Sequence, residues 1–394
     1  MTKKIIRTYL RFSLLFILGQ SFFFATYQIF LKNHGLSLLE INLINLCFMA
    51  SNFLLEVPTG AIADIFGRRK SVILGCLILS LSFLIYFLST NFWLFALAEI
   101  IGALGATCLS GALEAWMVDS LKFHGYVDDL EKIYEKEGSY RLVGVIIGSL
   151  SGAYFGNIDL ALPWLMSAIG MALVALFGAL KLQESYFEPQ ALKWNLGVIK
   201  ATAKDSIIYG LKHKGIFYAI SFGAILTLSF QGFNMQWPIV FNDFGLSIQS
   251  LGFIFNGIAV AIFLGNKLSK IIRQKIKNEK EAMILSQSIT ALGMMLAASM
   301  IGFYPVLAGF MIHEIGRGAF RPLKQAYLNR RIETDNKRAT ILSFDSMVSQ
   351  LGSGLGLLFS GFLANYFSIS VSWLSSAIVL VIGMITFQKL KNGD

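Results

Sequence analysis

"VPTGAIADIFGRRK", residues 57–70, sets an acid, two glycines and three consecutive cations between two long apolar runs. Charge this dense has no place in a hydrocarbon core, so the stretch reads as a tight turn between two membrane-crossing segments. Outward from it, apolar windows recur along the whole chain. They fall near 9–31, 38–62, 71–89, 92–118, 140–157 and 162–182, and again near 215–242, 248–268, 281–301, 304–327, 340–365 and 368–387. Each is close to the ~20 residues that cross a bilayer. Of 394 residues, 55% are hydrophobic and only 14% charged, too little charge to cover a soluble protein of this length. The expected fold is an all-α polytopic membrane protein of twelve transmembrane helices. These form two pseudo-symmetric six-helix bundles, residues 1–182 and 215–394, joined by a linker at 183–214.

The start, MTKKIIRTYLRF, has the basic character of a signal peptide. The run behind it is too long, carries Gln20, Tyr27 and Gln28, and lacks a small-residue cleavage site, so an uncleaved first helix is expected. Cys47, Cys76 and Cys108 all lie in apolar runs without CxxC spacing and read as packing residues rather than disulfides or metal ligands.

The 33 cations are one-sided. Lys3, Lys4, Arg7 and Arg11 precede the first window, Arg68, Arg69 and Lys70 follow the second, and Lys122, Lys132, Lys136 and Arg141 follow the fourth. Further clusters occupy 181–214, 267–280 and 321–338, and Lys389 and Lys391 stand near the end. Lys32 alone falls in a loop on the opposite side, and Arg317 alone lies deep in a window. The cation-rich side is the cytoplasmic one, which places both termini and the linker there. A net charge of +10 distributed in this way sets topology and does not point to nucleic acid. The linker mixes Trp194, Leu196 and Ile199 with lysines, which suits a helix on the inner membrane surface or an ordinary solvated connector.

The two halves echo each other. "AEIIGALGA" at 98–106 resembles "HEIGRGAFR" at 313–321, and both fifth windows are glycine-spaced, at Gly144, Gly148, Gly152 and Gly156 and at Gly352, Gly356 and Gly361. Duplicated six-helix halves suit a transporter with its site between them. No G-x-x-x-x-G-K-(S/T) phosphate loop is present, which argues against ATP drive.

Written as G-x-x-x-D-x-x-G-R-(R/K)-x, residues 60–70 resemble the signature loop of the major facilitator superfamily. Gly60, Asp64, Gly67, Arg68 and Arg69 match it, and Ile65 stands where many members carry arginine. The resemblance implies secondary transport by alternating access, with this loop latching the inner gate against the start of the eleventh helix, near Thr340. The residues make physical sense in that role. Gly60 lets another helix approach closely, and Gly67 permits the turn. Asp64, at the inner end of its helix, faces an unfavourable dipole and wants a partner, either Arg68 or a helix N-terminus from the other half. Asp119 with Arg68 or Arg141 reads as a charge network at the same gate. The alternative is that Arg68, Arg69 and Lys70 only enforce topology. In the second half GNKLSKIIR, residues 265–273, has Ser269 where the acid would be, so the latch is expected on one side only. The fifth window is similar to the family's glycine-rich antiporter motif, with Ser149 where proline is usual.

Ionisable groups at mid-membrane are functional candidates by default. Glu99 has no cation within one helical turn, and a carboxylate can carry a proton itself; the alternative is a packing acid. His313, Glu314 and Arg317 are spaced so that acid and base share a helix face. They read as a coupling or anion-binding site, or as a self-neutralised structural pair. Glu56 and Glu114 stand toward the cytoplasmic ends of their windows. Polar and aromatic residues of the first and seventh windows, Gln20, Tyr27, Gln28, Gln231, Asn234, Gln236 and Trp237, are cavity candidates, and such a lining suits an amphipathic organic solute.

The expected function is proton-coupled export of small amphipathic organic molecules across a bacterial inner membrane, by a monomer using no metal or cofactor. Its partners are the substrate, protons and membrane lipid. The alternatives are a proton-coupled importer of a nutrient or metal chelate, an intramembrane enzyme built on His313, and a transport-dead sensor. The enzyme lacks a nucleophile–base set, and a sensor would have no need of Asp64.

Overall fold

A computed structural model describes residues 1–127, 129–184, 213–331 and 335–389. The linker reading based on Trp194, Leu196 and Ile199 lies outside these residues, as do the side chains of Gly60, Asp64 and Thr340. The described chain is helical throughout, with no strand. The first half contains α1 (Thr2–Ser21), α2 (Tyr27–Asn33), α3 (Leu38–Phe66), α4 (Arg68–Leu88), α5 (Phe92–Leu109), α6 (Ala112–Phe123), α7 (Glu131–Ile158) and α8 (Leu162–Lys181). The second half contains α9 (Lys214–Asp243), α10 (Ile248–Lys275), α11 (Glu279–Ala298), α12 (Phe303–Arg331), α13 (Asp335–Tyr366) and α14 (Ile369–Lys389).

Two windows expected as single helices are broken. Residues 9–31 divide between α1 and α2, and residues 92–118 between α5 and α6. At the first break Phe22 and Phe23 are both drawn inward, Phe22 to a buried position and Phe23 to a stack on Trp164, and consecutive side chains of a regular helix point about 100° apart. At the second, Gly111 adopts φ 68°, a left-handed conformation that ends one helix and lets the next begin. Counting each broken pair as one crossing gives twelve. Among the described residues, ten spans are long and apolar enough to cross a membrane by length and composition alone. The exceptions are the crossing that starts with α1, which opens on a cationic turn, and α12, which carries His313, Glu314, Arg317, Arg321 and Lys324.

Local sequence explains the remaining boundaries. Gly67 has φ 93° and forms the tight turn between α3 and α4. Asn91 caps α5 by accepting from the Leu94 N–H, and Asn278 caps α11 by accepting from Lys280 and Glu281.

The glycine-spaced fifth crossings, α7 and α13, lie against the first crossing of their own half. A methyl group on Gly148 would stand 2.6 Å from the Leu18 carbonyl, and one on Gly352 would stand 2.5 Å from that of Ala224. Gly152 and Gly356 press as closely on the Phe22 and Leu228 carbonyls. In both halves backbone meets backbone without intervening side chains, the small-residue packing of membrane helices.

The chain divides into two compact units, Met1–Leu36, Ile44–Trp194 and Gly245–Asn256, and Ser37–Leu43, Asn195–Phe244 and Gly257–Asp394. In the first, Asn256 Nδ2 donates to Ser149 Oγ at 3.1 Å, giving the serine at the usual proline position a partner. In the second, Asn42 Nδ2 donates to the Leu357 carbonyl at 2.7 Å. The last crossing of each half carries the same six-residue pattern, W-L-x-S-A-I, at 164–169 and 373–378. Trp164, Ser167, Trp373 and Ser376 are all buried.

Candidate functional site

Glu99 sits on α5, in the third helical turn from its N-terminal end. Its Oε1 accepts from the Tyr86 hydroxyl of α4 at 2.6 Å and the Tyr27 hydroxyl of α2 at 2.8 Å. The two hydroxyls are themselves 3.3 Å apart. Tyr27 can reach the carboxylate because the first crossing is broken just before it, at residues 22–26. Trp164 holds the group from behind: Tyr86 stacks on it at 3.9 Å and 4°, and Phe23 at 4.2 Å and 9°. Both tyrosines are buried, whereas Glu99 keeps partial exposure. Among the described residues no Lys, Arg or His lies within ion-pair distance of Glu99. Neutral phenols are thus its visible partners.

The corresponding acid of the second half is compensated differently. Glu314, 1% exposed, pairs with Arg317 at 2.7 Å one turn further along α12. Arg317 also donates to Asn234 Oδ1 at 2.8 Å, and its guanidinium lies 4.8 Å above the Phe230 ring. His313 Nδ1 stands 3.7 Å from Glu314 Oε1, beyond hydrogen-bond reach. Its ring stacks on Phe233, which stacks on Trp373. Where Arg317 stands three residues after Glu314, the first half has Gly102 three after Glu99, packed against Ser82. Trp164 backs Tyr86, a partner of Glu99, and Trp373 backs Phe233, which stacks on His313 beside Glu314, but only Glu314 keeps a cation on its own helix.

At the turn between α3 and α4, Arg68 Nε pairs with Asp119 at 2.9 Å, one of the two partners expected for that acid; Arg141 lies instead 3.9 Å from Glu137. The sequence reading missed Glu184. Its carboxylate accepts from the backbone N–H groups of Arg68 at 2.8 Å and Arg69 at 3.0 Å, capping the N-terminus of α4. Arg69 donates through its side chain to the Ala179 carbonyl. Glu137 was also missed; it accepts from Tyr9 at 2.6 Å and Ser13 at 3.2 Å on α1. In the second half Arg273 stands near Glu279, which also pairs with Arg330 and Arg331, while Ser269 folds back onto the Asn266 carbonyl.

The second unit contains a cavity of about 500 Å³ between α9, α10, α12 and α13. Phe230 and Phe320 supply aromatic wall, and Arg317, Arg321, Lys324 and Asp345 supply charge. Lys324 Nζ pairs with Asp345 at 2.6 Å. Three of the seven cavity candidates, Gln20, Tyr27 and Gln28, belong to the first unit, and four, Gln231, Asn234, Gln236 and Trp237, to the second. Tyr27 belongs to the Glu99 cluster, and Asn234 is tied to Arg317. Gln236 donates to the Ser360 carbonyl, and Trp237 packs near Phe310. Gln28 and Gln231 are buried, and Gln20 is half-buried. The cavity takes Leu226, Thr227 and Phe230 from α9, nearer the start of that helix than the amides. A sequence signal for it existed: Arg321 and Lys324 continue the helix face begun by His313, Glu314 and Arg317.

The sequence profile of the Major Facilitator Superfamily matches residues 12–226 and 217–392. An uncharacterized MFS-type transporter of Bacillus subtilis, YxaM, is 24% identical over 97% of this chain and 96% of its own. The class H tetracycline resistance protein of Pasteurella multocida is 23% identical over 83% of this chain and 80% of its own. Among solved structures, a mutant of the nucleoside transporter NupG superposes with a TM-score of 0.84 at 14% identity, covering 98% of this chain and 99% of that one.

Proposed function

The chain belongs to the major facilitator superfamily of secondary transporters, and we propose that it couples inward proton movement to the export of small amphipathic organic molecules. The observation that carries the coupling is Glu99: a carboxylate inside a membrane crossing, held by two phenol hydroxyls and paired with no cation among the described residues. A proton is the smallest ion that can neutralise it. Glu314, already compensated by Arg317, serves substrate orientation or structure. The direction of transport is drawn from the similarity to a tetracycline resistance protein, and the substrate class from the amide and aromatic residues of the first and seventh crossings. The protein works as a monomer in a bacterial inner membrane with both termini cytoplasmic. Asp64 and Arg68 latch the inner gate, so Asp64→Asn lowers turnover severely while the protein still folds and inserts.

The test is transport in proteoliposomes under an imposed pH gradient, screened across amphipathic compounds. Export is supported if an outward substrate gradient drives protons inward. Protons moving with the substrate would favour an importer and defeat the proposed direction.

A further inference from the structure

We infer that the cavity of the second unit binds the anionic end, carboxylate or phosphate, of the transported molecule, and that Arg321 selects it. The inference rests on the transport reading above and adds a substrate class to it. The lining contributes three cations and one acid. Two of the cations are already engaged within the protein: Arg317 pairs with Glu314 at 2.7 Å, and Lys324 with Asp345 at 2.6 Å. Arg321 is exposed and forms no ion pair among the described residues. It stands one turn from Arg317 and three residues before Lys324, so α12 presents a cationic ladder whose middle member keeps its charge uncompensated. A guanidinium with five donors matches a carboxylate or phosphate in a two-point contact.

The rest of the lining fits the body of such a molecule. Phe230 and Phe320 offer ring surface, Leu226 and Ile262 aliphatic surface, and the volume of about 500 Å³ is in the range of small-molecule sites. Phe230 is already covered on one side by the Arg317 guanidinium, which fixes that arginine as part of the wall. A neutral solute would leave Arg321 facing a cavity without an anion, whereas an anionic solute pairs with it.

The decisive measurement is equilibrium binding to the full chain in phosphatidylcholine nanodiscs, with no gradient imposed. The probes are 2-naphthoate, its neutral analogue 2-naphthylmethanol, and inorganic phosphate as competitor. Naphthoate should bind tighter than the alcohol, be displaced by phosphate, and bind about tenfold more weakly to Arg321→Gln, the loss expected of one charge-assisted contact. The alcohol should bind both proteins alike, and Arg321→Lys should recover part of the loss. Lys270→Gln, which removes an exposed cation of α10 outside the cavity lining, should change naphthoate affinity by no more than about twofold. Equal binding of naphthoate and the alcohol by the unaltered protein would overturn the inference, as would unchanged naphthoate binding by Arg321→Gln. Displacement of naphthoate by phosphatidylglycerol but not by phosphate would assign the site to a lipid headgroup and overturn it as well. Intact naphthoate selectivity in a protein that fails to use a pH gradient would count against proton coupling alone and support the anion site.

Discussion

Tyr86 gives its hydroxyl to Glu99 at 2.6 Å while its ring lies flat on Trp164, 3.9 Å away. One residue therefore joins a polar contact to an aromatic one. Its two functions separate by substitution. Tyr86→Phe keeps the ring stack and removes one hydrogen bond, so it should cost about 1 kcal/mol of stability and impair gradient-driven transport. Tyr86→Ala also removes the stack and should cost about 3–5 kcal/mol. Unfolding in detergent beside transport in proteoliposomes checks both. Equal destabilisation by Phe and Ala would show that the ring does not pack as described.

Glu99→Gln and Glu314→Gln distinguish the two repeat-related acids. Glu99→Gln fixes a neutral group and should abolish pH-driven accumulation while substrate-for-substrate exchange survives. Glu314→Gln leaves Arg317 without its carboxylate and should weaken exchange and driven transport together. The measurement is both modes in both variants. Full driven transport by Glu99→Gln would end its assignment as proton carrier, and loss of driven transport in Glu314→Gln alone would reverse the two roles.

Glu184 caps α4 from just beyond the end of α8. Glu184→Ala should destabilise the first unit by about 1 kcal/mol, the usual worth of a charged N-terminal cap. The Arg68–Asp119 pair is about one-third exposed on each side, and a double-mutant cycle should give less than about 1 kcal/mol of coupling. A larger coupling than cap energy would mean that the arginine, rather than the capping acid, holds the turn.

The glycine seams give an internal control. Gly148→Ala and Gly352→Ala place a methyl group within 2.6 Å of a carbonyl and should each cost about 1–3 kcal/mol. Gly138→Ala, in the same helix as Gly148, meets nothing within 4 Å and should be stabilising by about 0.5–1 kcal/mol. Denaturation midpoints of the three variants test the order.

Topology can be checked by cysteine labelling. Asn33→Cys, at the exposed end of α2, should react with an impermeant reagent from outside intact cells, and Glu135→Cys should react only after the inner face is opened. Outside labelling of Glu135→Cys would invert the orientation drawn from the one-sided cations.

The crossings were legible because long apolar runs and their flanking cations follow from bilayer thickness and charge cost alone. The glycine seams were legible for a similar reason, since a repeat of small residues has few other uses. The partners of Glu99 were not. Tyr27 and Tyr86 lie 72 and 13 residues from it, and no local pattern announces a long-range hydroxyl. Arg317 and Glu314 were legible as a pair because their spacing is helical. The shared W-L-x-S-A-I was visible but gave no hint of function until Trp164 and Trp373 were seen beneath the two clusters. The two broken crossings escaped notice because hydropathy does not register a change of backbone direction inside an apolar run.

The glycine seams also bear on movement. Where Leu18 meets Gly148 and Ala224 meets Gly352, there is no layer of side chains that can change rotamer and absorb a displacement. The two helices of each seam therefore behave as one stiff beam. A tilt begun at one end is delivered almost undiminished to the other, and the give in each half is left to places such as the left-handed turn at Gly111, where the helix is already interrupted.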